Sequence, residues 1–186
     1  MNHSYTRASD AVSADAVSTR AFLQQAVDHY PRLAAFSFTL KLPYCEAMSE
    51  YRSLILRFHT EVWQRTGEYS RQRQQARRHS PPTILRWLLE GASVPECGMI
   101  VLINLDTLGT VSKTSLMDSV LHDMYAIIGE AWHSVTGTDN SVASIASFII
   151  SRTDRCSFSQ PFSQLNAMVN EMVSPVMVAR TGVVCP

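Results

Sequence analysis

The chain has 186 residues, 46% of them hydrophobic, which suits a single domain with a real core and excludes a fibrous or wholly disordered protein. Sixteen basic and sixteen acidic side chains cancel to a net charge of zero, so overall charge neither draws the protein to nucleic acid nor keeps it away. The four cysteines, Cys45, Cys97, Cys156 and Cys185, form no C-x-x-C or Cys/His cluster, which argues against a zinc site or a disulfide framework and for free thiols in a reducing cytoplasm.

Met1 to Ser18 is rich in Ser, Ala, Asp and Thr and has few large apolar residues, so it reads as a flexible leader to a single domain over residues 19–186. It lacks the basic and apolar blocks of a signal peptide, and no apolar run in the chain approaches a membrane span. A cytoplasmic protein without membrane contact is expected. Thr19 can cap a short helix carrying Phe22, Leu23, Ala26 and Val27, which Pro31 would end.

From Leu33 to Leu42 the large residues Phe36, Phe38, Leu40 and Leu42 alternate with small or polar ones, as a strand with one buried face requires. After Pro43 the period changes. Met48, Tyr51, Leu54, Ile55, Phe58 and Val62 recur at three and four, which predicts a helix from about Glu46 to Gly67. Two apolar runs follow, Ile84 to Leu89 and Met99 to Leu105, separated by Gly91, Pro95 and Gly98 in the manner of neighbouring buried strands.

Asn104 to Gly109 makes a turn, and Ser112 or Thr114 can cap a second long helix with Leu116, Val120, Met124, Ile127, Ile128, Ala131 and Val135 on one face. Gly137 fits its end. Asn140 to Ile150 suggests a short helix running into a strand. A third helix begins at Pro161 and stops before Pro175, and Val176 to Arg180 forms a closing strand; its exposed edge, or a helix face bearing Trp132 beside His133, offers a place for two copies to pair as a homodimer. Met168, Met172 and Met177 are core filler at these spacings. The order predicts an α+β fold: a ferredoxin-like split βαβ antiparallel sheet with two long helices packed on one face.

Between Arg65 and Arg86 lie Arg71, Arg73, Arg77, Arg78 and His79, with Glu68 the one acid of the interval. A polar run of this kind is either a solvated face or a phosphate-gripping patch. No aromatic residue is interleaved from Ser70 to Thr83, so a base-stacking surface has no support there.

Leu40-Lys-Leu-Pro43, Arg57-Phe58, Arg77-Arg-His before Thr83-Ile-Leu-Arg-Trp87, Val101-Leu-Ile-Asn-Leu-Asp106 and Ile128-Gly-Glu-Ala-Trp132 come in an order that resembles the inovirus-type replication-protein family, the YagK/YfjJ C-terminal domain of prophages and mobile elements. The likeness runs from about Leu33 to Arg180. That family is similar to the HUH initiators, in which two His side chains at i and i+2 of a strand hold a divalent metal and a Tyr on a later helix attacks the scissile phosphate.

The resemblance puts the His pair at Glu96-Cys97-Gly98, where Glu96 or Cys97 is the one remaining donor. It puts the family's Tyr-Leu-Ala-Lys pattern at Met177-Val-Ala-Arg180, where Arg180 keeps the positive charge, and no tyrosine follows Tyr125. The expectation is therefore a retired initiator scaffold with no catalytic residue, no metal and no cofactor.

As a mobile-element protein it would dock on a host or phage protein, blocking replication or defence machinery, or grip nucleic acid; Arg71, Arg73, Arg77, Arg78, His79, Arg86 and Arg180 are the candidate contacts for nucleic acid or for an acidic protein partner. The neutral balance favours a protein partner. A surviving metal-dependent nuclease would need Glu96 and Cys97 joined by Asp106, His122 or His133, with a nucleophile such as Ser174; His122 and His133 lie about three helical turns apart, too far to share one ion.

Overall fold

Alternation along the strands sorts the apolar residues between the two faces of one sheet. The computed structural model describes residues 16–74, 84–90, 95–108, 114–138, 142–153 and 156–181. Strand β1, Arg32–Lys41, sends Ala34, Phe36, Phe38 and Leu40 to one face and Leu33 and Ala35 to the other. Helix α2, Met48–Gln74, leads from it to β2, Ile84–Leu89, which pairs with β3, Glu96–Asn104. A 3-10 turn at Leu105–Thr107 is followed by helix α3, Thr114–Thr136, and strand β4, Ala143–Ser151.

These strands stand in the order β4-β1-β3-β2, every neighbouring pair antiparallel, which is the order of a split βαβ sheet. Strand β5, Val176–Thr181, extends the sheet beside β2. The fold is α+β, and both long helices lie on one face as the sequence predicts. The second face is also covered. Helix α1, Ala16–His29, and helix α4, Cys156–Glu171, bury Leu23, Ala26, Val27, Phe162, Leu165 and Val169 against Leu33, Ala35, Leu88, Ile100 and Leu102.

Large rings fill the first face. Phe58 meets Trp132, Trp87 and Phe38 with centroids 5.5, 5.9 and 6.0 Å away and steep interplanar angles, the arrangement ring quadrupoles favour. His59, 2% exposed, stacks on Trp87 at 4.1 Å. Polar contacts set α2 against α3: Tyr69 Oη donates to Asp123 at 2.8 Å, and Arg65 reaches both Glu61 and Glu130. Farther along α2, Ser70 Oγ donates to the Thr107 carbonyl at 2.7 Å, fixing the helix to the turn after β3.

Four boundaries differ from the sequence reading. Helix α1 starts at Ala16, so Thr19 lies inside it, 1% exposed, instead of capping it; residues 1–15 of the expected leader lie outside the described residues. Helix α2 passes through Gly67 and runs to Gln74, because a single glycine costs a helix only about 1 kcal/mol and the flanking turns are well packed. Helix α4 starts five residues before Pro161, which stands in its second turn and removes one intrahelical bond without ending the helix. Residues 143–150, where the sequence predicts a short helix ahead of the strand, are strand throughout: between Ser37 and Thr39 of β1 the register of β4 slips, a bulge that breaks its period-2 pattern. Asn140 and Ser141 lie outside the described residues. Gly137, at φ +67°, ends α3 as expected.

Candidate functional site

The pleat of β3 separates the three residues at which the resemblance puts a metal-binding pair. Glu96 is exposed opposite Lys41, Cys97 points into the α2/α3 core at 0% exposure, and Gly98 belongs to the other face. Cys97 Sγ lies 3.6 Å from the Glu90 carbonyl and 3.8 Å from that of Gly98. Burial pushes its thiol up to about 12, the nearby Glu90 charge adding to the effect, so at neutral pH it is a protonated core residue and neither a thiolate ligand nor a nucleophile.

Gly98 has a use of its own. The Glu90 carboxylate accepts from the Gly98 amide at 3.0 Å through Oε2 and from the Val173 amide at 3.2 Å through Oε1, while the Glu90 amide donates to the Gly98 carbonyl at 2.9 Å. A Cβ on residue 98 would sit 2.7 Å from Oε2. The glycine is the seat of a carboxylate that clasps the end of β2, the start of β3 and the turn after α4. In that turn Ser174 takes φ 46°, a conformation side chains resist, and the bond to its neighbour's amide helps hold it. Sequence reasoning missed Glu90, since nothing in its local pattern announces a partner 83 residues away.

The other candidate donors stay apart. Glu96 opens β3 whereas Asp106 lies past its far end, bound to Arg32 at 3.3 Å. His122 is exposed on α3, and His133 Nδ1 lies 3.1 Å from the Thr138 carbonyl in the helix's last turn. Among the described residues no three His, Cys, Asp or Glu side chains come together as a metal site would require. The residues present do not fit the divalent ion of the HUH initiators. Met177 to Arg180, at which the family's tyrosine motif is expected, lie on edge strand β5, paired with Leu88 to Leu85, and not on a helix.

The basic candidates do not form one patch. Arg71 lies on the exposed end of α2, 3.5 Å from Glu68, and Arg73 belongs to the last turn of the same helix. Arg77, Arg78 and His79 lie outside the described residues. Arg86 is on the opposite side of the sheet, its guanidinium carbon 5.7 Å from the centroid of the Phe22 ring of α1. It approaches Tyr30, whose buried hydroxyl has no well-shaped hydrogen bond; burial raises that phenol above its ordinary range and the Arg86 cation draws it part of the way back. Arg180 stands opposite Leu85 in the β2–β5 ladder.

What the chain leaves exposed is partly apolar. Tyr44, in the connection entering α2, is 85% exposed, and Met48 and Leu56 on the first turns of α2 are 55% and 53% exposed. Met48, Arg52 and Leu56 follow each other at intervals of four, on one outward stripe of the helix.

Fold and geometry together define an α+β protein on the split βαβ plan, with a carboxylate clasp and a buried thiol at the strand pair that the resemblance marks out. Residues 6–145, most of the chain, match the model of the family described as uncharacterised conserved protein UCP030791, and the protein belongs to that family. The match covers α1 through the first residues of β4. No curated protein and no solved structure matches the chain. No helix among the described residues is long and apolar enough to cross a membrane.

Proposed function

We propose that this is a non-catalytic binding protein of a phage or other mobile element, a scaffold of the replication-initiator type that docks on a host or phage protein. The observation that carries the reading is the Glu90–Gly98–Cys97 arrangement: of the two positions that would hold the metal pair, Gly98 has no donor side chain and seats the Glu90 carboxylate, Glu96 is left as one exposed carboxylate, and Cys97 between them is a buried, protonated thiol on the opposite face. Support for a protein partner comes from the zero net charge and from the exposed stripe of Met48, Arg52 and Leu56, since an outward row of apolar side chains with an arginine among them has the composition of an interface anchor.

The test is a pull-down of the full chain against host and phage lysate, comparing the wild type with a Met48→Glu, Leu56→Glu variant of matched melting behaviour. A partner retained by the first and lost by the second is expected; equal capture, or none, defeats the docking surface. Titration with Mn²⁺ or Mg²⁺ and a nicking assay on single-stranded DNA address the enzyme reading, and saturable metal binding with cleavage would replace this proposal. An electrophoretic shift across a salt series addresses nucleic acid. Binding that falls steeply with salt and disappears when Arg71, Arg73, Arg77 and Arg78 become Ala would assign the basic segment that role instead.

A further inference from the structure

The two edges of the sheet are unlike. Strand β5 has six residues and carries Arg180, whereas β4 has nine, reads Ala-Ser-Ile-Ala-Ser-Phe-Ile-Ile-Ser, and contains neither a charged residue nor a proline. Edges are ordinarily protected by shortness, charge, proline or bulges, because a row of unpaired amides and carbonyls is a template for another strand. Among the described residues no strand pairs with the outer side of β4. Among the described residues its protective device is the bulge near Ser144 and Ile145, which leaves Ala146–Ser151 in unbroken register with β1.

We propose that this outer edge pairs antiparallel with the β4 strand of a second copy of the chain, joining two five-stranded sheets into one. A two-fold axis normal to the sheet brings α2 and α3 of both copies to the same side, and residues facing each other across the axis must then share a face. The pleat therefore places the axis through a residue and not between two. Within Ala146–Ser151 the pairing centres on Phe148 and uses Ala146 to Ile150; one centred on Ile149 would draw in Ser151, whose hydroxyl contacts that of Thr153 in the turn that follows.

Both of those side chains are half-buried in a single copy, Phe148 toward α4 and Ile149 toward α3, and each gains a cross-strand neighbour in the pair. The strand's lack of charge leaves no like charges opposed at any register, and the chain's zero net charge removes long-range repulsion between copies. These properties make a second copy the occupant. The contact is small, below about 1,200 Å², which corresponds to a reversible dimer with a dissociation constant on the order of 10 µM.

Sedimentation velocity on the full chain from about 1 to 300 µM spans that constant. Expected is a concentration-dependent shift from monomer to dimer, accompanied by hydrogen-exchange protection that grows with concentration at those amides between Phe148 and Ile150 that point away from β1. Ser147→Lys and Ser147→Glu place like charges about 7–8 Å apart on the diagonal of the Phe148-centred pair. Each variant alone, folded by circular dichroism, should dissociate at least tenfold more readily than the wild type, and an equimolar mixture of the two should recover the dimer. An Arg180→Ala change on the other edge should leave self-association unaltered. A wild type that stays monomeric throughout, a dimer indifferent to both Ser147 variants, or a mixture that fails to reassociate overturns the proposal. If neither variant folds, the exchange measurement on the wild type decides, since protection of those amides independent of concentration also overturns it.

Discussion

Toward α2 and α3 the sheet presents Phe36, Phe38, Trp87 and Met99, and the helices answer with Phe58 and Trp132; toward α1 and α4 it presents Leu33, Leu88, Ile100 and Leu102, answered by Leu23, Val27, Leu165 and Val169. The first interface is made of interlocking rings, so that one missing ring strands several neighbours. The second is mostly aliphatic, with Tyr30 and the stacked Phe158–Phe162 pair beside the leucines and valines, and it also houses the Arg86 guanidinium and the Glu90 carboxylate. The difference teaches that interlocking ring shape fixes the first face, where the polar ties run from α2 to α3 and to the turn after β3, while in the second face the Glu90 carboxylate at the end of β2 holds the turn after α4.

The sharpest way to break this contrast is to truncate one residue on each side. Phe58→Ala should cost about 3–5 kcal/mol in denaturant unfolding, because it leaves gaps against Phe38, Trp87 and Trp132 at once. Leu165→Ala should fall near the lower end of about 2–5 kcal/mol. Equal losses would show that the two faces share one packing regime.

The clasp gives the next largest effect. Glu90→Ala should cost about 1–3 kcal/mol by stranding the amides of Gly98 and Val173. Gly98→Ala should destabilise the wild type, since its Cβ meets Glu90 Oε2, yet be tolerated far better once Glu90 is Ala. A double-mutant cycle should therefore show coupling of about 1 kcal/mol or more, and strict additivity would refute the clasp.

Alkaline titration sharpens the comparison further, because each face holds one group whose folded form keeps its proton. Cys97 is raised from 9.0 to about 12 by burial and by Glu90, and Tyr30 is raised by burial. In the window above pH 9 the unfolded thiol releases its proton while the folded one retains it, so this contribution is complete below pH 9 and is lost as pH rises toward 12. Unfolding measured from pH 8 upward should show stability falling, and Cys97→Ala should flatten the fall relative to its own value at pH 8. In the native protein Cys97 should resist thiol-reactive dyes at pH 8.

The smallest effects lie on the outer helices. Adding a Cβ at Gly67 or Gly129 meets nothing within 4 Å, so Gly67→Ala and Gly129→Ala should each raise stability by about 0.5–1 kcal/mol in thermal or denaturant melts.

Much of this architecture is legible in the amino-acid sequence. The alternation of Phe36, Phe38 and Leu40, the spacing of Tyr51, Ile55, Phe58 and Val62, and the stop at Gly137 each follow from local geometry and emerge where expected. The start of β4 is hidden because its bulge breaks the alternation, and the start of α4 because Pro161 imitates a first-turn proline while standing in the second turn. At the candidate site, the sequence places Cys97 and Gly98 side by side but gives no sign that the pleat turns one into each face. It is equally silent on Glu90, whose partners are a strand neighbour and an amide 83 residues away.

By itself, then, the sequence determined the period of each segment and with it the kind of element, because those preferences act within a few residues along the chain. Only the tertiary structure decided that Arg71 and Arg86 lie on opposite sides of the sheet, that Gly98 seats a carboxylate, and that an uncharged strand forms the edge. Strand order and register arise from contacts between residues far apart in the chain, and no local periodicity encodes them.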